Sequence, residues 1–287
     1  MKIFKKMTVI GVGLLGASLA KACRKYNLVE KISGHGRNVA NLEKAKSMGV
    51  VDDYNVNLAD AVKDSDLVVL CTPVSKIVPL IETMLPHLKV GVVITDVGSV
   101  KGSLVHEADK LMREGIFFVG SHPIAGGEKS GLEASREDLY FDAKCILTPT
   151  SKTHTQALEK VGALWESVGM DTLMLDADEH DFVFGAVSHL PHLVAYALMN
   201  TLGTLRTNQD HEVTAYSGAG LKDITRIASG DPVMWRDICL SNKKHSLDLI
   251  DRFQKTLSQL SSSIEKNDGQ ALEEAFYAAN KYRMKVI

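Results

Sequence analysis

Three glycines at fixed offsets constrain this chain more than any other feature. Gly11-Val12-Gly13-Leu14-Leu15-Gly16 follows a short apolar run, 7–10, and opens a helical pattern. In such a strand–turn–helix unit the first glycine permits the tight turn and the second lets a pyrophosphate approach the backbone. The third lets the helix pack on the sheet. The helix N-terminus adds unpaired N–H groups and the positive end of its dipole. A dinucleotide is the ligand such a unit takes, which makes Gly11, Gly13, Leu14, Leu15 and Gly16 candidate cofactor residues. The same stretch imitates an export signal, with a basic head at Lys2, Lys5 and Lys6 and a small-residue end at Ala17-Ser18-Leu19-Ala20. An export signal has no need of three spaced glycines, and the alternation that follows favours the strand–helix reading.

That alternation continues for some 175 residues. A helix is expected over 42–48 and a short one near 60–64. A buried strand over 66–71 is stopped by Thr72-Pro73, and these two residues at the strand end join the cofactor candidates. Ile77, Leu80, Ile81, Met84, Leu85 and Leu88 mark an amphipathic helix. Strands follow at 90–95, 116–119, 144–148 and 172–175, with helices ending near 113 and spanning 153–168. Such repetition predicts a mostly parallel, doubly wound α/β sheet over 1–175. From 176 to 287 the pattern is helical throughout. A long apolar helix over 179–205 carries Pro191 as an expected kink. Asp231-Pro232 caps another helix, and Leu247, Ile250, Phe253, Leu257, Leu260 and Ile264 form one apolar stripe. A last helix is expected over 271–285. An all-α domain this apolar is expected to pack against a second copy, giving a homodimer.

Composition acts mainly by exclusion. With 45% hydrophobic residues, 24% charged and a net charge of -2, nothing suggests a nucleic-acid or membrane partner, and a small molecule is the expected ligand. Cys23, Cys71, Cys145 and Cys239 are scattered, which suits a reducing, cytoplasmic setting and neither a disulfide framework nor a zinc site.

Where NAD-specific units usually place an acid at the end of the second strand, this chain has His35-Gly36-Arg37-Asn38. No carboxylate repels a 2′-phosphate and Arg37 is able to pair with one, so NADP is favoured, with a site accepting either cofactor as the alternative. In Val119-Gly120-Ser121-His122-Pro123-Ile124-Ala125-Gly126 an apolar strand ends at a titratable histidine, where ligands of open α/β sheets bind. His189 and His192 lie three apart on the long helix. With His180 or Asp181 they suggest a metal set, but only two ligands are well placed, and the inter-domain cleft or helix packing are the readings preferred. Asp223 and Arg226, also three apart, form either a surface ion pair or an arginine held for a substrate carboxylate. Trp235 is expected in a core.

Together these stretches resemble the prephenate and arogenate dehydrogenase family. The matching segments are the glycine turn, Asp96-Val97-Gly98-Ser99-Val100-Lys101, Ser121-His122-Pro123-Ile124-Ala125-Gly126 and Ser188-His189-Leu190-Pro191-His192. They continue in Asp223-Ile224-Thr225-Arg226-Ile227-Ala228 and through Asp231-Pro232 to Trp235. The resemblance implies hydride transfer from the carbon bearing the ring hydroxyl to a nicotinamide, with loss of the ring carboxylate. The product is 4-hydroxyphenylpyruvate from prephenate or tyrosine from arogenate. It further implies that His122 accepts the hydroxyl proton and that Ser99 helps orient it. By the same resemblance Arg226 holds a substrate carboxylate with Asp223 as its orienter, and His192 and Glu128 line the pocket mouth.

No residue marks prephenate over arogenate. Some members of the family carry a chorismate mutase or a regulatory domain. These 287 residues leave room for neither, so neither mutase activity nor a dedicated tyrosine-feedback domain is expected. Two other readings stand beside this one. A β-hydroxyacid dehydrogenase on the same plan would need a lysine on the long helix, where this chain has His189 and His192. A non-enzymatic dinucleotide sensor would have no use for His122, Ser99 and Arg226 together.

Overall fold

The computed structural model describes residues 2–127 and 129–286. Its first part alternates β1 (Phe4–Ile10), α1 (Leu14–Lys25), β2 (Val29–His35), α2 (Val39–Ser47), β3 (Asp53–Tyr54) and α3 (Leu58–Val62). It continues through β4 (Leu67–Leu70), α4 (Val74–Met84), β5 (Val92–Asp96), α5 (Gly102–Leu111) and β6 (Ile116–Pro123). β7 (Lys144–Thr148), α6 (Thr155–Ser167) and β8 (Asp171–Met174) complete it. The strands form one sheet in the order β3-β2-β1-β4-β5-β6-β7-β8. Every pairing is parallel except β6 with β7, which sets His122 opposite Ile146. Parallel neighbours need a crossover, usually a helix; between β6 and β7 the described chain makes only turns, and the strand returns antiparallel.

Helices cover both faces, which explains why β4 and β5 are buried along their whole length. Side chains alternate across each strand, so Val9 joins one core with Leu19, Ile32, Leu147 and Trp165, and Ile10 joins the other with Leu70, Ile77, Ile94 and Phe118. Chain direction across the sheet reverses between β1 and β4, and the crevice at their carboxyl ends is where such sheets bind ligands. The glycine turn lines it. Gly11 has φ +95°, and a Cβ there would run into the Cys71 carbonyl. At Gly16 a Cβ would meet Gly11's carbonyl oxygen and Val9, so α1 rests on β1 only because no side chain intervenes.

Beyond β8 the chain is mainly helical. α7 (Ala177–Phe184) and α8 (Leu190–Gly203) are joined by a π-type turn, Gly185–His189, into one 27-residue rod. Pro191 occupies the first turn after that wide segment, where its missing N–H is tolerated, and the helix runs on. By length and composition the rod is apolar enough to cross a membrane, at mean hydropathy 1.5, with 17% of its most apolar window buried in the monomer. The expectation of helix throughout fails over 204–218. A polar turn with Asp210 at φ +61° and a bridge between Arg206 and Glu212 interrupt it. α9 (Ala219–Thr225), α10 (Pro232–Ser241), α11 (Lys243–Glu265) and α12 (Gly269–Arg283) follow, and Asp231 caps α10 by accepting the Met234 N–H at 2.7 Å. Within the monomer α11 buries Ser246 and Leu249, whereas Leu247, Phe253, Leu257 and Ile264 of its apolar stripe stay exposed.

Replacing Gly16 by valine should crowd β1 and the turn, costing about 1–3 kcal/mol and weakening nucleotide binding. A lowered thermal midpoint together with a weakened cofactor titration is the expected result; an unchanged midpoint would show that the contact is slack.

Candidate active site

The crevice is built to receive an anion. Gly13 is the N-cap of α1 and no side chain caps the helix, so its first N–H groups point outward unsatisfied by local chemistry. Nothing lies within 4 Å of where a Cβ of Gly13 would stand. From beneath, the Tyr140 hydroxyl donates to the Leu15 carbonyl at 2.7 Å, and Leu14 and Leu15 pack on the core. Thr72 adjoins Gly11 across the β1/β4 reversal, and its hydroxyl is buried with no partner among the described residues. An orphaned hydroxyl of this kind costs about 1–3 kcal/mol unless something fills the bond. Pro73 then leads into α4. The open space, the uncapped helix and the orphan hydroxyl fit the pyrophosphate of a dinucleotide. On the ribose side, His35 at the end of β2 holds the Asn55 carbonyl at 2.8 Å. Arg37 is exposed in the following loop and Asn38 caps α2.

His122 stands three strands away, near the carboxyl end of β6, and is 9% exposed. Its Nδ1 lies 2.8 Å from Nε2 of His180, and Phe184 packs its ring against His122 at 4.9 Å between centroids. Burial pushes the imidazole pKa well below its ordinary value near 6.5, and the neighbouring His180, Lys101 and His189 push it further down. The strand beneath is fixed by Asp96 at the end of β5. That carboxylate accepts the Ser121 N–H at 3.1 Å and the Gly98 N–H at 2.8 Å and pairs with the Lys101 ammonium, all fully or almost fully buried. Ser121 donates to the Asp96 carbonyl and receives the Trp165 indole N–H at 3.2 Å. Ser99 lies in the loop this network shapes, half-buried; the Nδ1 partner of His122 is His180. Lys101, Asp96, Ser121, His180 and Asp181 were therefore undervalued as site residues. For Asp96, Lys101 and Ser121 the signal in sequence is their place in the strand-end motifs, whereas His180 and Asp181 lie on α7, outside any such motif.

The helical part faces this edge through a few contacts. Trp235 packs with Val100 and Ile238, and the Ser75 hydroxyl donates to Asp237 at 2.8 Å. His192 stacks on Trp235 at 3.6 Å and donates Nδ1–H to the Ser188 carbonyl at 2.9 Å. Burial, followed in opposition by that hydrogen bond, leaves its pKa lowered, and the Arg226 guanidinium also pushes it down, which puts Arg226 within electrostatic reach of His192. His189 is different: buried, it meets Asn242 Nδ2 at 3.1 Å and is a packing residue. Asp223 lies in α9, and Arg226, the αR residue that ends α9, opens a 3-10 turn, Arg226–Ser229, so the i, i+3 pair keeps a common side. Glu128 lies outside the described residues.

Among the described residues no group of three or more His, Cys, Asp or Glu is arranged to hold a metal ion. His180 and Asp181 bond to each other at 2.9 Å instead. An apolar hollow of about 310 Å³ beside Trp235, lined by Leu193, Tyr196, Pro232, Arg236 and Cys239, carries no group suited to accept a proton near neutral pH. The groups able to move a proton gather at His122.

Family models agree with this division of labour. Residues 19–173 match the nucleotide-binding domain of prephenate dehydrogenase and residues 176–278 its dimerization domain. The chain belongs to the prephenate dehydrogenase family. It is a dehydrogenase whose cofactor is a nicotinamide dinucleotide. Cyclohexadienyl dehydrogenase of Zymomonas mobilis is 34% identical over 99% of this chain and 97% of its own length. Prephenate dehydrogenase of Aquifex aeolicus, solved in complex with hydroxyphenyl propionate and NAD+, superposes with TM-score 0.92 at 38% identity, covering 99% and 98% of the two chains. Arogenate dehydrogenase of Synechocystis superposes at 0.84 and 28% identity, over 98% and 100%. Membership sets aside both the β-hydroxyacid dehydrogenase and the non-enzymatic sensor.

The buried imidazoles set the acid stability of this family member. Burial lowers the pKa of His122 and His180, and brings His189 from 6.5 to about 4. The unfolded chain binds these protons first, so stability is fully present above pH 6.5 and is lost as the pH falls towards about 4. Thermal unfolding followed across that window should show the midpoint dropping by several degrees. A midpoint independent of pH would contradict the neutral, buried state of these rings.

Proposed function

We propose that this chain oxidatively decarboxylates prephenate, arogenate or both, in tyrosine biosynthesis, with His122 as the general base. The observation that carries the reading is the buried, neutral imidazole at the carboxyl end of β6, on the same sheet edge as the glycine turn. The bound nicotinamide supplies the hydride acceptor. The residues of the chain position the ring and take its hydroxyl proton. A base whose conjugate acid ionises well below pH 6.5 is already unprotonated at neutral pH, and such a base contributes about 10² to 10⁴ in rate. Loss of CO₂ leaves an aromatic ring, so the overall reaction is downhill and orientation is the main task.

Substrate contacts follow from charge. Arg226 holds a carboxylate in a bidentate fork, and Asp223 helps orient it. His192, stiffened on Trp235, lines the mouth, and Ser99 orients the base from the loop after β5. Hydroxyphenyl propionate in the Aquifex aeolicus relative is a phenol bearing a carboxylate, which supports a ligand of this kind. Gly11, Gly13, Leu14, Leu15, Gly16, Thr72 and Pro73 cradle the dinucleotide. Arg37 favours NADP, because no acid stands at the end of β2; NAD+ in the same relative keeps NAD as the alternative. Residues 1–175 form the dinucleotide unit and 176–287 the helical one.

The functional unit we propose is a homodimer. The exposed stripe on α11, the exposed Phe276 and Tyr277 of α12, and the sparsely buried rod at 177–203 all need cover, and they lie in the part that matches a dimerization domain.

Purified protein mixed with prephenate or arogenate and either NAD+ or NADP+ should generate reduced nicotinamide in at least one of the four combinations; none would refute the activity. His122→Asn should lower kcat by about 100-fold or more with little change in KM. Arg226→Ala should raise KM and leave cofactor binding intact, and Arg37→Ala should impair NADP use selectively; equal loss with NAD would remove the case for NADP. In sedimentation, Leu257→Asp should shift the chain from dimer to monomer, and an unshifted dimer would place the interface elsewhere.

A further inference from the structure

Asp181 on α7 is tied to the start of α5, far away in sequence. Its Oδ1 accepts the Lys101 N–H at 2.7 Å and its Oδ2 accepts the Gly102 N–H at 2.8 Å. These are first-turn donors of α5, which has no side-chain cap of its own, so Asp181 caps that helix across 79 residues of sequence. The position is exacting. A Cβ on Gly102 would stand 2.8 Å from Asp181 Oδ2 and 2.9 Å from Asp178 Oδ1, and only glycine admits the carboxylate.

A carboxylate that satisfies two backbone donors has only acceptors to offer a third group. His180 Nδ1, 2.9 Å from Asp181 Oδ1, must therefore carry its proton and donate it. A neutral His180 protonated at Nδ1 keeps a lone pair on Nε2. That nitrogen lies 2.8 Å from His122 Nδ1, so His122 must donate there in turn. The remaining His122 nitrogen, Nε2, is left with the lone pair. Each step is forced by the one before, and the chain begins at a helix N-terminus that has no other use for its donors.

We propose that His180 and Asp181 are positioning residues for the base: the helix-anchored carboxylate selects, through the intervening imidazole, the His122 tautomer whose Nε2 takes the substrate proton. The proton leaves the substrate hydroxyl, whose bonding pair stays on oxygen, and bonds to the Nε2 lone pair. The Nδ1–H of the resulting imidazolium remains donated to His180, and Asp181 supplies the opposite charge two bonds further along. An ordinary catalytic carboxylate touches its histidine directly; here an imidazole is interposed, which keeps the charge off the base itself. This assignment rests on His122 being the base, but the tautomer it requires is a property of the protein without substrate.

The test is ¹⁵N NMR of histidine-labelled protein above pH 7, free of substrate and cofactor, with the His122 signals assigned by His122→Asn. His122 and His180 should both be protonated at Nδ1 and bare at Nε2. A His122 protonated at Nε2 would overturn the proposal, whatever the protein turns over. In kinetics, His180→Leu removes the acceptor and should lower kcat by about 100-fold, at the lower end of what a general base contributes, without raising KM. His180→Gln presents an amide oxygen to the same Nδ1–H and should recover part of that loss. Equal kcat in the two variants would show that His180 merely fills space.

Discussion

The buried Asp96–Lys101 ion pair is the interaction on which the site depends. Both side chains are 0% exposed, and the ammonium of Lys101 meets a carboxylate that already receives the amides of Gly98 and Ser121. Removing two charges from water costs several kcal/mol each, so a pair of this kind adds little net stability compared with apolar side chains of the same volume. Its effect is geometric. Asp96 ties the end of β5, the loop that follows and the strand bearing His122 into one unit, because its two carboxylate oxygens accept from Gly98, Lys101 and Ser121. Breaking the pair would leave one charge uncompensated in the core, which is the expensive outcome.

A second carboxylate, Asp181, repeats the device from the helical side. It binds the start of α5 through the amides of Lys101 and Gly102, so His122 sits between two anchored acids that approach from different parts of the chain. Burial dominates the protonation of His122, with cationic Lys101 and two imidazoles nearby. The result is a ring that stays neutral in the folded protein and has one tautomer imposed on it. The cost is acid sensitivity, since the same burial that keeps these imidazoles neutral is undone by protonation.

Legibility in the sequence followed the range of the interaction. The glycine turn, the strand ends at Thr72-Pro73 and His122, the Asp231 cap and the change to helix near 176 rest on local preference and periodicity. Contacts between His122 and His180 span 58 residues, and those between Lys101 and Asp181 span 80. In sequence, His180 and Asp181 stand only as additions to a His189–His192 metal set that is not preferred, because adjacency on a helix says nothing about which elements face them. The stripe on α11 was visible as a pattern, whereas its exposure in the monomer was not.

What the sequence by itself determined is the set of elements and the chemistry they carry. Short-range sterics make Gly11 and Gly16 obligatory, and hydrophobic periodicity separates a parallel sheet from a helical remainder. The residue set from Ser99 to Arg226 marks the family. The tertiary structure alone decided which nitrogen of His122 is left to act. Tautomer choice depends on hydrogen bonds among β6, α7 and the start of α5, and no local pattern encodes a contact between elements that meet only when the sheet is covered.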